Sequence, residues 1–137
     1  MELLSPLDTA RLLQDNPHSL LVDCRSEREF RFVGHPSGAR HVAWNDGAGW
    51  EVNPGFVDAV ERLNGARRDR PVALICRAGD RSMDAARALE MAGFSSVYVV
   101  RHGFEGDIGS DYTRGKVNGW RCDGLPWETS PCERCAS

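Results

Sequence analysis

Short, uninterrupted apolar runs separated by segments of helical periodicity constrain the fold of this chain most strongly. The runs are SLLVDC at 19–24, PVALI at 71–75 and SSVYVV at 95–100, with ARHVAW at 39–44 as a weaker strand candidate. Continuous rather than alternating apolar runs are typical of strands buried on both faces. The sequence therefore predicts an α/β fold, in which a central parallel sheet of about five strands carries helices on both faces.

Helices are expected between these strands. Ser5 has the character of an N-cap for an amphipathic helix that ends near residues 15–17, and GFVDAVERL at 55–63 has apolar residues at helical spacing. A third helix is expected to begin near Ser82 and to end at Gly93, which can adopt the left-handed backbone of a C-terminal cap.

The length of 137 residues predicts one domain. We expect this domain to cover residues 1–129, with 104–129 as a tail packed back on it and 130–137 as a flexible C-terminus. The tail contains three large apolar anchors: Trp120, Leu125 and Trp127.

Composition excludes several partners. The net charge of −3 gives no reason to expect nucleic acid or an anionic membrane, and no apolar stretch approaches the roughly 20 residues of a membrane span. The N-terminus MELLSPLDTARLL lacks the basic start and long apolar region of a signal peptide. A cytoplasmic, reducing location is the expectation that follows. The oligomeric state is open from the sequence, with a monomer as the default.

The five cysteines are an odd number without the spacing of a disulfide framework, so free thiols are expected. Cys132 and Cys135 form a C-x-x-C pair that could supply half a zinc site with Cys122 and a histidine, or could relay sulfur from another thiol. A solvated tail with oxidisable thiols is the preferred interpretation. No metal ion and no organic cofactor are expected.

Cys76 stands at the carboxyl end of the run PVALI, where ligands bind in open α/β sheets. The loop from Arg77 to Arg81 must turn the chain into a helix, and such a turn directs backbone N–H groups and a helix N-terminus toward one point. This field stabilises a thiolate, and the two arginines add positive charge. The loop thus predicts a nucleophilic thiolate for an anionic substrate, against the alternative of a buried structural cysteine beside a solvated turn.

The loop CRAGDRS resembles the active-site loop of the rhodanese-like domain family, the single-domain thiosulfate sulfurtransferases and persulfide carriers. LLVDCRSEREF resembles the family's Asp-x-Arg turn with a glutamate four residues on, here Asp23, Arg25 and Glu29. GHPSGARHV at 34–42 resembles its Gly-His-x-x-Gly-Ala segment. VRHGFEGD resembles the turn after its last strand, with His102 in place of the usual first glycine.

The resemblance implies that the chain is a rhodanese-type enzyme with Cys76 as its nucleophile. Cys76 would take the outer sulfur of thiosulfate as a persulfide and pass it to cyanide, a thiol or a protein. Asp80 is expected to brace the loop by accepting hydrogen bonds from it. The substrate would contact the residues of the loop: Arg77, Ala78, Gly79, Asp80 and Arg81.

Two other functions remain open from the sequence. Related cell-cycle phosphatases have a loop that is one residue longer between cysteine and arginine, and Ser82 stands where they would need the arginine. A shorter loop favours sulfur over phosphate, and two arginines favour thiosulfate over mercaptopyruvate. The second alternative is a non-catalytic module that only binds a persulfide or a partner.

The remaining candidates are assigned structural roles. Arg25 and Glu29 are expected to form an ion pair beneath the second strand, and Cys24 to be a core thiol. His35 and His41 are not needed as general bases by thiolate chemistry. Trp44 and Trp50 are expected to pack in the core rather than to line a cleft.

Overall fold

The structure, a computed structural model, describes residues 1–46 and 51–129. Its strands are β1 (Glu2–Leu4), β2 (Leu20–Asp23), β3 (His35–Pro36), β4 (Arg40–His41), β5 (Asn45–Asp46), β6 (Glu51–Val52), β7 (Val72–Ile75), β8 (Val97–Val100) and β9 (Trp127–Glu128). The central element is a parallel sheet of five strands in the order β1-β8-β7-β2-β4. Two antiparallel pairs, β3 with β9 and β5 with β6, lie outside this sheet.

The predicted α/β fold with a five-stranded parallel sheet is confirmed. Strand β1 has no counterpart among the predicted strands, because its three residues are too few to show a pattern. The weak candidate at 39–44 shortens to the two residues of β4 at the sheet edge, although Val42 and Trp44 still donate backbone hydrogen bonds to Asp23 and Cys24.

Three α-helices and one short π-helix join the strands: α1 (Pro6–Asp15), the π-helix Glu29–Val33, α2 (Phe56–Leu63) and α3 (Asp80–Met91). Ser5 caps α1 as predicted, since its side chain accepts the N–H of Asp8 at 3.0 Å. Helix α3 begins at Asp80, two residues before the predicted Ser82. At its end Gly93 has φ +96°, and the N–H of Phe94 reaches back to the carbonyl of Leu89 in a Schellman motif.

The sheet is covered on both faces, as predicted. Helices α2 and α3 pack on one face through residues such as Phe56, Val60 and Leu89, all at most 1% exposed. On the other face, Ala10 and Leu13 of α1 pack against a cluster that includes Phe104 and Trp120. Among the described residues, no helix has the length and apolar character that crossing a bilayer requires.

The segment after β8 contacts this second face. Trp120 is buried and donates its indole N–H to the carbonyl of Pro126 at 2.9 Å, and Leu125 packs against the same cluster. Trp127 is 43% exposed, so it is a weaker anchor than the sequence suggested. Its strand β9 pairs with β3. The division of the chain at residue 129 stays a prediction, because residues 130–137 lie outside the described part.

Candidate active site

Cys76 lies directly after β7, with its side chain 1% exposed. Its Sγ accepts the N–H of Gly79 at 3.1 Å and the N–H of Ser82 at 3.4 Å. The chain can curl back over the sulfur because Gly79 has φ +124°, a backbone conformation that side-chain-bearing residues rarely adopt. The predicted convergence of backbone N–H groups on this thiol is therefore present, although Ser82 lies one residue beyond the predicted set.

The sulfur also occupies the position of a helix N-cap. Gly79 precedes the first turn of α3 and has no side chain to accept that turn's unpaired N–H groups. The Sγ of Cys76 accepts the third of them, from Ser82, in place of a capping oxygen. Because the N-terminus of a helix carries partial positive charge, this position favours the thiolate over the thiol.

Cys24 is a further neighbour of the Cys76 thiol. A hydrogen bond from the Cys24 thiol, together with those from Ser82 and Gly79, outweighs the opposing effect of burial and lowers the pKa of Cys76 from 9.0 to about 6. Conversely, the hydrogen bond to Cys76, burial and the Cys76 charge raise the pKa of Cys24 well above 9.0. These opposite shifts favour the thiolate at Cys76 and the protonated thiol at Cys24. Cys24 is in the core, as expected, and it belongs to the same buried cluster as the candidate nucleophile.

The ion pairs around the loop differ from the prediction. Arg81 binds Glu29 through two hydrogen bonds, of 2.6 and 2.9 Å. Arg25 binds Asp23 instead, and both side chains are fully buried. The predicted pairing of Arg25 with Glu29 is therefore wrong. The reason is the strand order. Because β2 and β7 are parallel neighbours, the loops that follow them leave the sheet side by side at its carboxyl end, where Glu29 can reach Arg81.

The rest of the loop is more exposed. The Arg77 side chain is exposed, Ala78 is half-buried, and Asp80 is exposed as the first residue of α3. The expected bracing role of Asp80 is wrong for the part of the chain that the structure describes, where no group donates a hydrogen bond to its carboxylate. At this position its charge instead complements the N-terminus of α3.

The turn after β8 supports the active-site loop from below. The N–H of Phe104 donates to the carbonyl of Cys76 at 2.7 Å, and the N–H of Glu105 donates to the carbonyl of Arg77 at 3.0 Å. Gly103 approaches so closely that a Cβ there would lie 2.3 Å from the Cys76 carbonyl oxygen. His102 stands where the similar turn of the rhodanese-like family usually has a glycine, and it adopts the left-handed backbone conformation, with φ +68°.

A cavity of about 710 Å³ opens beside the loop. Its lining carries four arginines and two glutamates, and the charge of one arginine, Arg81, is balanced by Glu29. The cavity thus presents a net positive surface beside the loop that follows Cys76, although Cys76 itself is not part of its lining. The charged residues of its lining are Arg28, Arg77, Arg81, Arg114, Glu29 and Glu105.

The other sequence candidates take structural positions. The rings of His35 and His41 hydrogen-bond the carbonyls of Phe30 and Arg25, which fits the expectation that neither is a general base. Trp44 packs edge-on against Phe56, with ring centroids 5.3 Å apart. Three other candidates lie outside the described residues: Trp50, Cys132 and Cys135.

No cluster of metal-ligating side chains occurs within residues 1–46 and 51–129. The three cysteines described there, Cys24, Cys76 and Cys122, are all free thiols.

Sequence reasoning missed several contributors to the site. Ser82 would have been found by starting α3 two residues earlier, which places its N–H in the first turn. Cys24 follows β2 as Cys76 follows β7, but only the strand order shows that these two ends are neighbours. Arg28 and Arg114 carry no local signal, because they reach the cavity from segments far apart in the chain.

Comparisons with known proteins agree with this geometry. A family model described as Rhodanese-like domain matches residues 5–108. Thiosulfate sulfurtransferase GlpE from Actinobacillus pleuropneumoniae is 31% identical over 127 residues, which are 93% of each protein. The crystal structure of Rv0390 from M. tuberculosis is similar with a TM-score of 0.82 and 36% identity, over 93% of this chain and 97% of that one. The Polysulfide-sulfur Transferase homodimer from Wolinella succinogenes gives a TM-score of 0.63 and 26% identity, over 94% and 79%.

Proposed function

Because the chain belongs to the rhodanese-like domain family, we propose that it is a sulfurtransferase that carries sulfane sulfur as a persulfide on Cys76. The observation that carries the proposal is the environment of the Cys76 Sγ, which receives the N–H groups of Gly79 and Ser82 at the N-terminus of α3. With a pKa of about 6, Cys76 is about nine-tenths thiolate at pH 7.

The proposed reaction has two halves. The Cys76 thiolate attacks the outer sulfur of thiosulfate, the bond between the two sulfurs of the donor breaks, and sulfite leaves with the electron pair. The persulfide that remains is an anion, so the N–H groups of the loop stabilise it as they stabilise the thiolate. An acceptor nucleophile (cyanide, a thiol or a protein thiol) then takes the outer sulfur and regenerates the Cys76 thiolate.

The charges of the cavity support an anionic donor. Arg28 and Arg77 line the opening, while Arg81 is held against Glu29 and serves mainly to fix the loop. A volume of about 710 Å³ exceeds the size of thiosulfate, so the same cavity has room for an acceptor thiol. As the sequence suggested, we propose that the protein acts as a monomer in the cytoplasm, without metal or cofactor.

Two alternatives make different predictions. A non-catalytic binding module needs no thiolate, yet the site stabilises one by several independent groups. A phosphatase needs an arginine directed at the bound phosphate, whereas Arg81 is engaged by Glu29 and the next position is Ser82. Both features favour sulfur transfer.

The test is intact-protein mass spectrometry after incubation with thiosulfate, together with a thiocyanate assay using cyanide as acceptor. The expected result is the gain of one sulfur atom and steady thiocyanate formation, both abolished in Cys76→Ser. Cys122→Ser, which removes an exposed thiol, is the matched control and should behave as wild type. Absence of both the sulfur adduct and thiocyanate formation in the folded wild-type protein would overturn the proposal. Hydrolysis of p-nitrophenyl phosphate, lost in Cys76→Ser, would favour the phosphatase.

A further inference from the structure

Cys24 and Cys76 occupy matching positions on neighbouring strands. Strands β2 and β7 are parallel and in register, with Asp23 opposite Ile75 as the last pair. Cys24 directly follows Asp23, and Cys76 directly follows Ile75. The N–H of Cys24 donates to the carbonyl of Ile75 at 2.9 Å, which continues the hydrogen bonding between the two strands. Both side chains belong to the core cluster on the α2 and α3 face. The two thiols therefore project side by side from the same face of the sheet.

Ser82 contacts both thiols. Its N–H donates to the Cys76 Sγ at 3.4 Å, and its hydroxyl lies 3.5 Å from the Cys24 Sγ. The Cys24 side chain is completely buried, and its thiol also donates a hydrogen bond to the carbonyl of Ile75 at 3.4 Å. External oxidants and thiols have no direct access to Cys24, so a group on Cys76 is the natural partner for its chemistry.

The backbone geometry suits a bond between these two sulfurs. Neighbouring strands lie about 4.8 Å apart, and residues paired across them have their Cα atoms at roughly this separation. Disulfides form readily when the two Cα atoms are about 4.4–6.8 Å apart. A bond between Cys24 and Cys76 would therefore need rotation of the side chains rather than movement of the sheet.

We propose that Cys24 is a resolving thiol, which attacks the Sγ of persulfidated Cys76 and releases the outer sulfur as hydrogen sulfide. The inference rests on the proposed function, because the persulfide is its starting point. It adds a second outcome for the bound sulfur: transfer to an acceptor when one is present, and reductive release when none is.

The step balances without an external oxidant. The Sγ–Sγ bond between Cys24 and Cys76 forms as the bond between the Cys76 Sγ and the outer sulfur breaks. The outer sulfur leaves with the electron pair and with the proton of the Cys24 thiol, as hydrogen sulfide. The sulfane sulfur is reduced, and the two cysteine sulfurs are oxidised to a disulfide. An external dithiol or thiol reductant must then reduce this disulfide before the next cycle.

The position of Cys24 beside the Cys76 thiolate also keeps its thiol protonated and unreactive until sulfur is bound to Cys76. In the free site, interaction with the Cys76 thiolate, together with burial, holds the pKa of Cys24 well above 9.0, and the Cys24 thiol donates to the carbonyl of Ile75 at 3.4 Å. Persulfidation moves the negative charge one atom outward, toward the loop N–H groups, and makes the Cys76 Sγ an electrophile. Cys24 is completely buried, while the charged cavity is lined by Arg77 and Arg81 of the loop that follows Cys76. This placement suits displacement of the outer sulfur toward the cavity.

The test uses the full chain with Cys122, Cys132 and Cys135 changed to serine, so that only Cys24 and Cys76 remain as thiols. The protein is treated with thiosulfate and freed from excess donor, and no acceptor is added. Mass and released sulfide are then followed with time. The expected course is a gain of one sulfur atom, followed by conversion to a species two hydrogen atoms lighter than the starting protein, with one equivalent of sulfide. Dithiothreitol should restore the original mass.

Cys24→Ala and Cys24→Ser in the same background should stop at the stable sulfur adduct and release no sulfide. Circular dichroism shows whether these variants remain folded, and the time course of the triple-serine parent chain tests the inference without them. An adduct on that parent chain that persists without sulfide release would overturn the resolving role and leave the proposed sulfurtransferase function intact. The absence of any adduct and of the lighter species would count against both.

Discussion

Arg81 and Glu29 join the active-site loop to the segment after β2 by two parallel hydrogen bonds, of 2.6 and 2.9 Å. Both side chains are less than one-fifth exposed. Glu29 also accepts the hydroxyl of Ser26 at 3.0 Å, on the same Oε1 that Arg81 binds, and this further fixes the carboxylate. The arginine that the sequence assigned to substrate attraction thus holds the position of the first turn of α3, where the thiolate is stabilised.

The first prediction concerns this ion pair. Glu29→Gln should lower the free energy of unfolding at pH 7 by about 1–2 kcal/mol, because the pair is bidentate and partly buried. Burial raises the pKa of Glu29, but Arg81 outweighs it and lowers the pKa from 4.5 to about 2. A lowered folded-state pKa stabilises the protein above pH 4.5, and this stabilisation disappears as the pH falls toward 2. Urea unfolding at several pH values measures the effect.

The control for this prediction is the exposed pair of Arg67 with Asp69. Asp69→Asn should change stability far less, since both side chains are solvated. A difference between wild type and Glu29→Gln that stays constant from pH 7 to pH 2.5 would contradict the assigned charge effect.

The second prediction concerns the pH dependence of persulfide formation. The rate with thiosulfate should rise with pH and level off above a midpoint near 6, the pKa of Cys76. Cys24→Ala removes a hydrogen-bond donor to the thiolate, so its midpoint should move to higher pH and its rate at pH 6 should fall roughly two- to fivefold. Stopped-flow measurements across the pH range provide the readout, with Cys122→Ser as control. An unshifted midpoint in Cys24→Ala would remove Cys24 from the stabilisation of the thiolate.

The third prediction concerns the turn beneath the loop. Gly103→Ala should lower the free energy of unfolding by about 3 kcal/mol or more, because the new Cβ would meet the Cys76 carbonyl oxygen at 2.3 Å. Gly124 also has a positive φ, of +77°, but a Cβ there would meet no atom within 4 Å. Gly124→Ala should therefore cost only about 1–2 kcal/mol, from backbone strain. Equal effects of the two substitutions in thermal unfolding would show that close packing of the turn against the loop is unimportant.

The fourth prediction concerns the cavity charge. Arg77 is exposed and lines the cavity, where its positive charge attracts an anionic donor. Arg77→Gln should therefore raise the KM for thiosulfate severalfold and make this KM less dependent on ionic strength. Arg87 on α3 is also exposed but pairs with Asp84 away from the cavity lining, so Arg87→Gln should leave both quantities unchanged. Steady-state kinetics at two salt concentrations separates the two arginines. Identical behaviour would mean that donor attraction does not depend on Arg77.

Local patterns predicted much of this molecule. The sequence predicted the apolar runs that form β2, β7 and β8, the N-cap at Ser5 and the C-terminal cap at Gly93. Each of these features depends on only a few neighbouring residues. The position of Cys76 at a strand end and at a helix N-terminus was also readable, for the same reason.

The ion pairs between side chains at the carboxyl ends of different strands could not be predicted from the sequence. Asp-x-Arg followed by a glutamate suggested a local ion pair, but Arg25 is buried on Asp23 and leaves Glu29 for Arg81, which is 52 residues away. The strand order places the ends of β2 and β7 together, and this order is set by the packing of the whole chain.

The sequence by itself determined that a thiol stands at the carboxyl end of a parallel sheet, near backbone N–H groups and arginines. It could do so because the strand, the turn and the start of the helix are all encoded within residues 71–93. Only the tertiary structure decided that a second thiol, Cys24, lies beside it. It also decided that one of the two loop arginines is neutralised by a carboxylate. The physical reason is that a thiolate's stability depends on every donor and charge within a few ångströms, and pairing of distant strands brings those groups together.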